Sequence, residues 1–373
     1  CGRGAEDHAA VLRAQRALGG AADDVVVQPA GREDLRLAVA MAVQRALLAQ
    51  GLEAELREGM RQQEEALRRL GEQHQRMFWS CAHVVFDGLP RLQRDVAAAP
   101  RPGARLGSAV LGAQLGSGKF GDVFLSTCEK TGKREAVKVV PKEWLQDLEQ
   151  VQYIWNEFRV LALLSHENII ALHGVVHALD HIYLHLEFAG MDSLFQGIKK
   201  AGGLLAPECA QAFGLQLLSA IAHCHDHGVA HGDLKPENVV ISEDGRRVRL
   251  VDFGCAVETG RPCSGRRGTM PFMAPEVIAG DDHEPAAADV WACGVLLLEL
   301  FHGVGKLNRL LGWGHSVEPE PQRRHELERF VRRPDAFADA ADLAPLLRGM
   351  MQPLPAQRCS ASQAEKSARI AWS

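Results

Sequence analysis

Lysine is missing from the first hundred residues, where the permanent positive charge is all arginine. The full chain has 373 residues and a formal net charge of -5, which favours neither nucleic-acid nor anionic-membrane binding. Long apolar runs are missing as well, because the longest, around Val290 to Val304, is interrupted by Glu299 and is too short to span a bilayer. No secretory pattern opens the chain, and its first residue is Cys1 rather than Met. We therefore expect no nucleic-acid partner and no membrane segment, and we expect a piece of a longer protein.

Paired cysteines are also missing from the sequence. The nine cysteines are scattered, and no two of them form a C-x-x-C pair. An odd, scattered set indicates reduced thiols rather than a disulfide framework. This pattern predicts an intracellular protein, and it does not separate the cytoplasm from the nucleus.

The first hundred residues are rich in helix formers. Residues 33–76 consist largely of Ala, Leu, Gln, Glu and Arg, and Gly51 divides them. A thin apolar stripe after Gly51 fits one side of a coiled coil, although it lasts few heptads. Residues 97–107, with two prolines and two glycines, have the composition of a linker. We predict a mostly helical extension over residues 1–100; packed helices, a self-associating coiled coil and partial disorder remain open alternatives.

The stretch from His231 to Gly254 holds two acidic motifs on either side of a short hairpin. The sequence D-L-K-P-E-N begins at Asp233, and D-F-G begins at Asp252. Between them, two β-branched runs flank an Asp-Gly turn, which is a strong hairpin signal. The hairpin carries Asn238 and Asp252 back towards each other. An amide oxygen and a carboxylate that converge in this way suit Mg²⁺, which prefers hard oxygen ligands.

In this order and spacing, the two motifs resemble the catalytic core of the eukaryotic protein kinases. The resemblance implies transfer of the ATP γ-phosphate to a hydroxyl, a reaction that depends on positioning and charge neutralisation. It implies that Asp233 accepts the proton of the incoming hydroxyl and that Lys235 steadies the γ-phosphate. Asn238 and Asp252 are the implied metal ligands. The expected cofactors are ATP and Mg²⁺, and the expected partner is a protein substrate.

A glycine-rich segment with the pattern G-x-G-x-x-G lies upstream, between Gly116 and Gly121. This pattern alone is weak, and a dinucleotide-binding fold would need a helix directly after it. Extended runs flank it here, which favours a hairpin whose backbone N–H groups close over phosphates. By the resemblance this loop covers the nucleotide. Its expected contacts are Leu115, Gly116, Ser117, Gly118, Lys119, Phe120, Gly121 and Val123.

Lys138 lies on the third predicted strand among apolar neighbours, where a buried charge needs a partner. The alternative is a solvated strand lysine. The resemblance implies that Glu157, on the next helix, pairs with Lys138 and fixes it on the α- and β-phosphates. It also implies an adenine pocket that combines apolar side chains with backbone contacts. The expected pocket residues are Val123, Ala136, Leu186 as gatekeeper, Glu187, Ala189 and Val240.

Gly232 departs from the family pattern, which has H-R-D where this chain has H-G-D. The arginine of that pattern normally receives a phosphate from the activation loop, and glycine cannot do so. We therefore expect activity that does not require activation-loop phosphorylation, with Ser264 and Thr259 as weaker candidate sites. The open alternative is an ATP-binding pseudokinase or scaffold whose helical extension mediates assembly.

The resemblance also implies several contacts in the C-terminal part of the chain. Thr269 matches the threonine that bonds the catalytic Asp and Lys in serine/threonine kinases. Glu276 is expected to pair with Arg358, and Asp289 is expected to brace the backbone of the catalytic loop. Apolar periodicity predicts a helix over residues 210–225 that leads into this loop.

These observations combine into one predicted architecture. The chain is expected to be α+β, with a bilobal protein kinase fold of a β-rich N-lobe and a helical C-lobe behind the helical extension. The predicted kinase domain covers residues 108–373, with the N-lobe at 108–187 and the C-lobe at 190–373. The predicted activity is that of a protein serine/threonine kinase.

Overall fold

The structure is a computed structural model that describes residues 92–93, 100–118, 120–145, 147–314, 321–340 and 343–372. Nearly all of the predicted helical extension lies outside these residues, and so does Lys119 of the glycine-rich loop. The expectation that the extension self-associates therefore stays a prediction.

The N-terminal part of the described chain forms a sheet of seven strands in the order β1-β6-β7-β5-β4-β3-β2. Neighbouring strands are antiparallel, except that β1 runs parallel to β6. Strand β2 lies inside the predicted linker, so this sheet begins upstream of residue 108. The strands are β1 Leu92–Gln93, β2 Arg105–Leu106, β3 Ala109–Gly118, β4 Gly121–Cys128, β5 Arg134–Pro141, β6 Leu172–Ala178 and β7 His181–Glu187.

Strand register assigns side chains to the two faces of this sheet. Lys138 on β5 pairs with Val123 on β4 and with Leu184 on β7, and Ala136 pairs with Leu186. Because side chains alternate along a strand, these residues share one face. The opposite face packs into a buried apolar cluster made of Leu111, Phe124, Val137, Val139, Ala178 and Tyr183.

Helix α1, Leu148–Leu163, is the one long helix between the strands of this lobe in the described chain. Its N-cap is Asp147, whose carboxylate accepts a 2.9 Å hydrogen bond from the backbone N–H of Gln150. Buried apolar residues recur along one face at helical spacing, and Glu157 is buried on that same face. The helix therefore presents a carboxylate to the lobe that it packs on.

The C-terminal part of the described chain is mainly helical. The helix Pro285–His302, named α5, has mostly buried residues, including the charged Asp289 and Glu299, and forms the centre of this lobe. It is also the one described helix that is long and apolar enough to cross a bilayer, but 72% of the qualifying window is buried inside the lobe, as in a core helix. The helices are α2 Leu194–Lys200, α3 Pro207–Asp226, α4 Pro275–Ala279, α5 Pro285–His302, α6 Lys306–Leu311, α7 Pro321–Val331, α8 Ala344–Met350 and α9 Ala361–Ala371.

Short strands in the second lobe hold the acidic motifs. They are β8 Asp192–Ser193, β9 Val229–Ala230, β10 Val239–Ile241, β11 Val248–Leu250 and β12 Val257–Glu258. Strands β10 and β11 form the predicted antiparallel hairpin. At its open end the N–H of Val251 donates to the carbonyl of Asn238 over 3.0 Å, so the two motifs flank one ladder. The predicted bilobal fold, with a β-rich and a helical lobe, is confirmed.

Candidate active site

Asp233 lies on the loop between β9 and β10, and each of its carboxylate oxygens is held by a side chain. The ammonium of Lys235 lies 2.6 Å from Oδ2, and the hydroxyl of Thr269 donates to Oδ1 over 2.7 Å. Lys235 also donates to the Thr269 hydroxyl over 3.0 Å, which closes the triangle. Side-chain orientation at Asp233 is therefore fixed before any substrate is bound. The contacts that Thr269 was expected to make are present.

The backbone of this loop is braced by Asp289, which begins the second turn of α5. Its carboxylate accepts hydrogen bonds from the N–H groups of His231 and Gly232, over 2.6 and 2.9 Å, and lies 3.1 Å from Nε2 of His225. Burial alone would raise the pKa of Asp289, but the His225 hydrogen bond and the other donors lower it below its ordinary value. Asp289 therefore remains an anion that accepts hydrogen bonds from two backbone N–H groups. The predicted bracing contact is present.

Gly232 occupies a backbone conformation that only glycine adopts without strain. Its φ is +80°, and a Cβ added there would lie 2.5 Å from the carbonyl oxygen of Cys255. That oxygen belongs to the chain directly after the D-F-G motif. The arginine of the H-R-D pattern therefore has no place in this arrangement, because even its first carbon would overlap the Cys255 backbone.

This close approach predicts different costs for two Gly→Ala substitutions. Gly228 also has a positive φ, +73°, but an added Cβ there meets nothing within 4 Å. Gly228→Ala should lose about 1–2 kcal/mol of stability for the left-handed backbone. Gly232→Ala should lose a further 1–3 kcal/mol or so, because of overpacking against Cys255. Urea denaturation of the two variants checks this difference, and equal losses would show that the added carbon meets no resistance at Gly232.

Asp252 and Asn238 place two oxygen donors beside the loop. The amide nitrogen of Asn238 donates to the carbonyl and to Oδ2 of Asp233, over 2.8 and 3.2 Å, so its amide oxygen is left as the acceptor. Asp252 is the one non-glycine residue with a positive φ, +64°, in the part of the chain that the structure describes. Such strained backbone concentrates at functional sites. The amide and carboxylate oxygens form a donor set that fits a hard divalent cation.

Lys138 and Glu157 form a buried ion pair in which Nζ and Oε2 are 2.6 Å apart. Their side chains are only 10% and 2% exposed, and Lys138 also lies 3.5 Å from Oδ1 of Asp252. Burial would lower the pKa of Lys138, but the Glu157 and Asp252 carboxylates outweigh it and raise that pKa. For Asp252, burial acts to raise the pKa, while Lys138 and a hydrogen bond from Tyr153 bring it below its ordinary value. The site therefore holds a charged lysine beside an ionised aspartate.

The glycine-rich segment is the hairpin between β3 and β4. A Cβ at Gly121 would lie 2.2 Å from the carbonyl oxygen of Val139, so only glycine fits where β4 passes β5. An added Cβ at Gly116 would meet nothing within 4 Å, which leaves its backbone open to approach. Phe120, at the tip of the hairpin, is buried. Lys119 is outside the described residues, so its predicted contact with nucleotide stays a prediction.

The residues predicted to surround adenine come from both lobes. Val123, Ala136 and Leu186 share the sheet face that carries Lys138, and Val240 lies on β10. Val123, Ala136 and Val240 are half-buried, as expected for side chains that line a cleft. Their role in binding adenine stays a prediction, and so does that of Ala189, which lies just beyond β7.

Glu187, at the end of β7, is engaged by groups that the sequence did not indicate. Its N–H donates to the carbonyl of Ala171 over 2.8 Å, and its carboxylate takes a bidentate pair from Arg249 at 2.9–3.2 Å. The predicted backbone contact of Glu187 with adenine therefore depends on its carbonyl group. Arg249, which ties β11 to the strand that joins the lobes, was missed because its partner is 62 residues away in sequence.

Tyr153 is the second residue at this site that the sequence analysis missed. Its hydroxyl donates to Oδ1 of Asp252 over 2.8 Å. Tyr153 stands four residues before Glu157, which puts both side chains on the same face of α1. This spacing was the feature of the sequence that could have placed Tyr153 near Glu157.

A β-rich lobe and a helical lobe, with a buried Lys–Glu pair facing two acidic loops, are the features of the eukaryotic protein kinase fold. The protein kinase domain model matches residues 110–368, and the chain therefore belongs to the protein kinase family.

Three relatives illustrate the similarity. The chain is 33% identical over 264 residues to CBL-interacting protein kinase 28 of Oryza sativa subsp. japonica, which covers 69% of this chain and 58% of the relative. It is 32% identical over 262 residues to Aurora kinase of Schizosaccharomyces pombe, and the aligned region covers 69% of this chain and 70% of that kinase. It is 35% identical over 209 residues to serine/threonine-protein kinase SIK2 of Gallus gallus, and the aligned region covers 56% of this chain and 26% of that kinase. The chain spans about half the length of the plant relatives that it matches.

Proposed function

We propose that this chain is an ATP- and Mg²⁺-dependent protein serine/threonine kinase. The observation that carries the proposal is the assembled site, in which Lys138 is paired with Glu157 and Asp233 is held by Lys235 and Thr269. The ion pair lies beside the proposed metal ligand, because Nζ of Lys138 is 3.5 Å from Oδ1 of Asp252. Family membership supports the same activity, and so do the names of two relatives, from Arabidopsis thaliana and Gallus gallus, that are called serine/threonine-protein kinases.

Lys138 and the glycine-rich hairpin are proposed to hold the phosphates of ATP. The ammonium of Lys138 is charged and fixed by Glu157, so it binds anionic phosphate oxygens without first having to be ordered. The backbone at Gly116 is open, which lets N–H groups approach those oxygens. Val123, Ala136 and Val240 bury the adenine ring between the two lobes.

Asn238 and Asp252 are proposed to hold the metal ion. Their oxygens are of the type that Mg²⁺ prefers, and they flank one hairpin. Bound there, Mg²⁺ supplies charge neutralisation for the transferring phosphoryl group. Asp252 remains ionised for this purpose because Lys138 and Tyr153 lower its pKa.

Asp233 is proposed to accept the proton of the substrate hydroxyl at a carboxylate oxygen. Lys235, 2.6 Å from Oδ2, lies where it also stabilises negative charge on the transferring group. Thr269 links the activation segment to Asp233, so the segment that receives the substrate is tied to the residue that activates it. The resemblance of Thr269 to the corresponding threonine of serine/threonine kinases supports a serine or threonine hydroxyl on a protein as the acceptor.

Activity without activation-loop phosphorylation is the finer part of the proposal. The backbone at Gly232 leaves no place for a phosphate-binding arginine, and the loop is instead held by Asp289 and Thr269. Both restraints are made by protein groups. The observation that favours the second candidate, a pseudokinase scaffold, is the same absence of arginine at position 232.

Removing the two candidate phosphoacceptors should therefore leave the activity intact. Thr259 is half-buried and Ser264 is exposed on the activation segment. We expect the variant with Thr259→Ala and Ser264→Ala, and phosphatase-treated wild-type protein, to keep activity within about twofold, because Asp289 and Thr269 hold the catalytic loop through protein groups. Initial rates with a peptide substrate measure this. A loss of tenfold or more in both samples would establish dependence on phosphorylation.

Transfer of radiolabelled γ-phosphate from ATP to a generic protein substrate tests the proposed activity. The expected products are phosphoserine and phosphothreonine, and the expected rate falls to background when Mg²⁺ is chelated. Binding of a fluorescent ATP analogue is measured on the same protein. Nucleotide binding without phosphate transfer would favour the pseudokinase, and transfer to tyrosine would overturn the substrate class.

A further inference from the structure

Tyr153 of α1 reaches across the site to the aspartate of the D-F-G motif. Its hydroxyl donates to Oδ1 of Asp252 over 2.8 Å, and Nζ of Lys138 lies 5.8 Å from the centre of its ring. The Tyr153 hydroxyl therefore acts as a hydrogen-bond donor to the Asp252 carboxylate.

The ring of Tyr153 contacts two segments that are proposed to carry the nucleotide chemistry. The backbone of Gly254 lies so close that an added Cβ would be 1.9 Å from ring carbons. Phe120 of the glycine-rich hairpin packs against the same ring at a tilt of 45°, with 4.4 Å between ring centroids, and is only 7% exposed. One side chain thus contacts the hairpin tip and two residues of the D-F-G motif.

We propose that Tyr153 is a positioning residue that orients Asp252 for the metal ion. This inference rests on the proposed kinase function, and it explains how Asp252, one of the proposed metal ligands, is oriented. The hydrogen bond fixes Oδ1, and the ring fixes the turn at Gly254.

The carboxylate of Asp252 keeps capacity for a cation while Tyr153 is bonded to it. A carboxylate offers about four lone-pair sites, and the Tyr153 hydroxyl uses one of them. Lys138 is a second, more distant neighbour of the same Oδ1 atom at 3.5 Å. The Asp252 side chain is 33% exposed, so part of it remains open to the cleft. The tyrosine therefore orients one oxygen and leaves room at the other.

The strained backbone of Asp252 is one reason why this residue needs the hydrogen bond from Tyr153. A positive φ at a non-glycine residue persists only where its surroundings hold it. In this chain no arginine at position 232 can couple the loop to a phosphate, and Tyr153 provides a phosphate-free link between α1 and the D-F-G segment. Because Glu157 lies one turn further along α1, the same helix sets both Lys138 and Asp252.

The chain contains only two tyrosines, which gives a matched pair of variants. Tyr153→Phe keeps the ring on Gly254 and removes only the donor to Asp252. Tyr183→Phe makes the same chemical change in the apolar cluster on the sheet face opposite Lys138. The 373-residue wild-type chain and both variants are titrated with a fluorescent, non-hydrolysable ATP analogue, with and without Mg²⁺, and kcat and KM are measured with a peptide.

Tyr153→Phe should reduce the Mg²⁺-dependent gain in nucleotide affinity by about tenfold, the loss expected for one hydrogen bond to a charged group. Affinity for metal-free nucleotide should not change, kcat should fall about tenfold, and the peptide KM should stay constant. Tyr183→Phe should show none of these effects.

Two results would overturn the inference about Tyr153. An unchanged Mg²⁺-dependent gain in Tyr153→Phe would reduce the tyrosine to a packing residue, and a larger gain would show that its hydroxyl obstructs the metal. If wild-type protein binds Mg²⁺ and nucleotide but transfers no phosphate, the proposed activity fails while the binding comparison still decides the role of Tyr153.

Discussion

Asp233→Asn is expected to slow phosphoryl transfer by about 10²- to 10⁴-fold, the usual contribution of a general base, with nucleotide affinity within about twofold of wild type. Asparagine has nearly the same shape as aspartate. Its amide oxygen can accept from Lys235, and its NH2 group can donate to the Thr269 hydroxyl oxygen, which then acts as the acceptor. The amide cannot accept the proton of the substrate hydroxyl. Binding and chemistry should therefore separate at this one residue, and kcat from radiolabelled transfer with the dissociation constant of a fluorescent ATP analogue measures both.

Asp335→Asn is the matched control for this experiment. Asp335 pairs with Arg333 on the surface of the second lobe, and both side chains are well exposed. The same change from carboxylate to amide should leave kcat unaltered there. If Asp233→Asn keeps a rate within threefold of wild type, Asp233 is not the base. If its nucleotide affinity falls together with kcat, the substitution has disturbed the site rather than its chemistry.

Local sequence pattern could predict only the parts of the site that depend on short segments. The long-range contacts of Asp233 with Thr269 and of Glu276 with Arg358 were implied by the family resemblance. Asn238 and Asp252 lie at the open end of one hairpin whose Asp-Gly turn is evident in the sequence. Lys138 and Glu157 lie 19 residues apart, and the apolar run around Lys138 already required a partner. Local turn chemistry and the energetic penalty of a buried charge are both properties of short segments.

Tyr153 and Arg249 could not be placed in the same way. Their partners, Asp252 and Glu187, are 99 and 62 residues distant, and nothing in the local pattern of either residue indicates which distant carboxylate it meets. The geometry that reserves position 232 for glycine likewise arises from the approach of Cys255, which only the folded chain provides. Tertiary packing supplies these contacts, and periodicity does not.

The limits of the fold prediction follow from element length. The long apolar periodicity before the catalytic loop predicts the helix whose observed bounds are Pro207–Asp226, and it begins at a proline that fits the first turn of a helix. Strands of two residues, such as Val229–Ala230 and Val257–Glu258, are too short to show an alternating pattern. The strand Arg105–Leu106 lies among prolines and glycines that favour a linker, and pairing with β3 overrides that composition.

Structural ion pairs in the helical lobe differ widely in what they contribute. Arg358 donates to both oxygens of Glu276, over 2.6 and 2.7 Å, and also to the carbonyls of Ala287 and Gln352. These side chains are 1% and 9% exposed, and the guanidinium lies 5.1 Å from the centre of the Trp291 ring. The predicted pair is present, and it joins the end of the activation segment to the region before α9. Each of the three guanidinium nitrogens of Arg358 therefore donates to an acceptor.

Arg358→Ala is therefore expected to lower the free energy of unfolding by about 3–5 kcal/mol, because it leaves Glu276 as an unpaired buried charge. Arg369→Ala, on α9, is the control: Arg369 pairs with Glu365 but is 59% exposed, and such a helix-surface pair contributes only about 0.3–0.5 kcal/mol. Urea denaturation of the two variants measures the contrast. A double variant, Arg358→Ala with Glu276→Ala, should recover part of the loss, since the unpaired charge is then removed. Similar losses in the two single variants, or no recovery in the double variant, would mean that charge burial does not determine the contribution of Arg358.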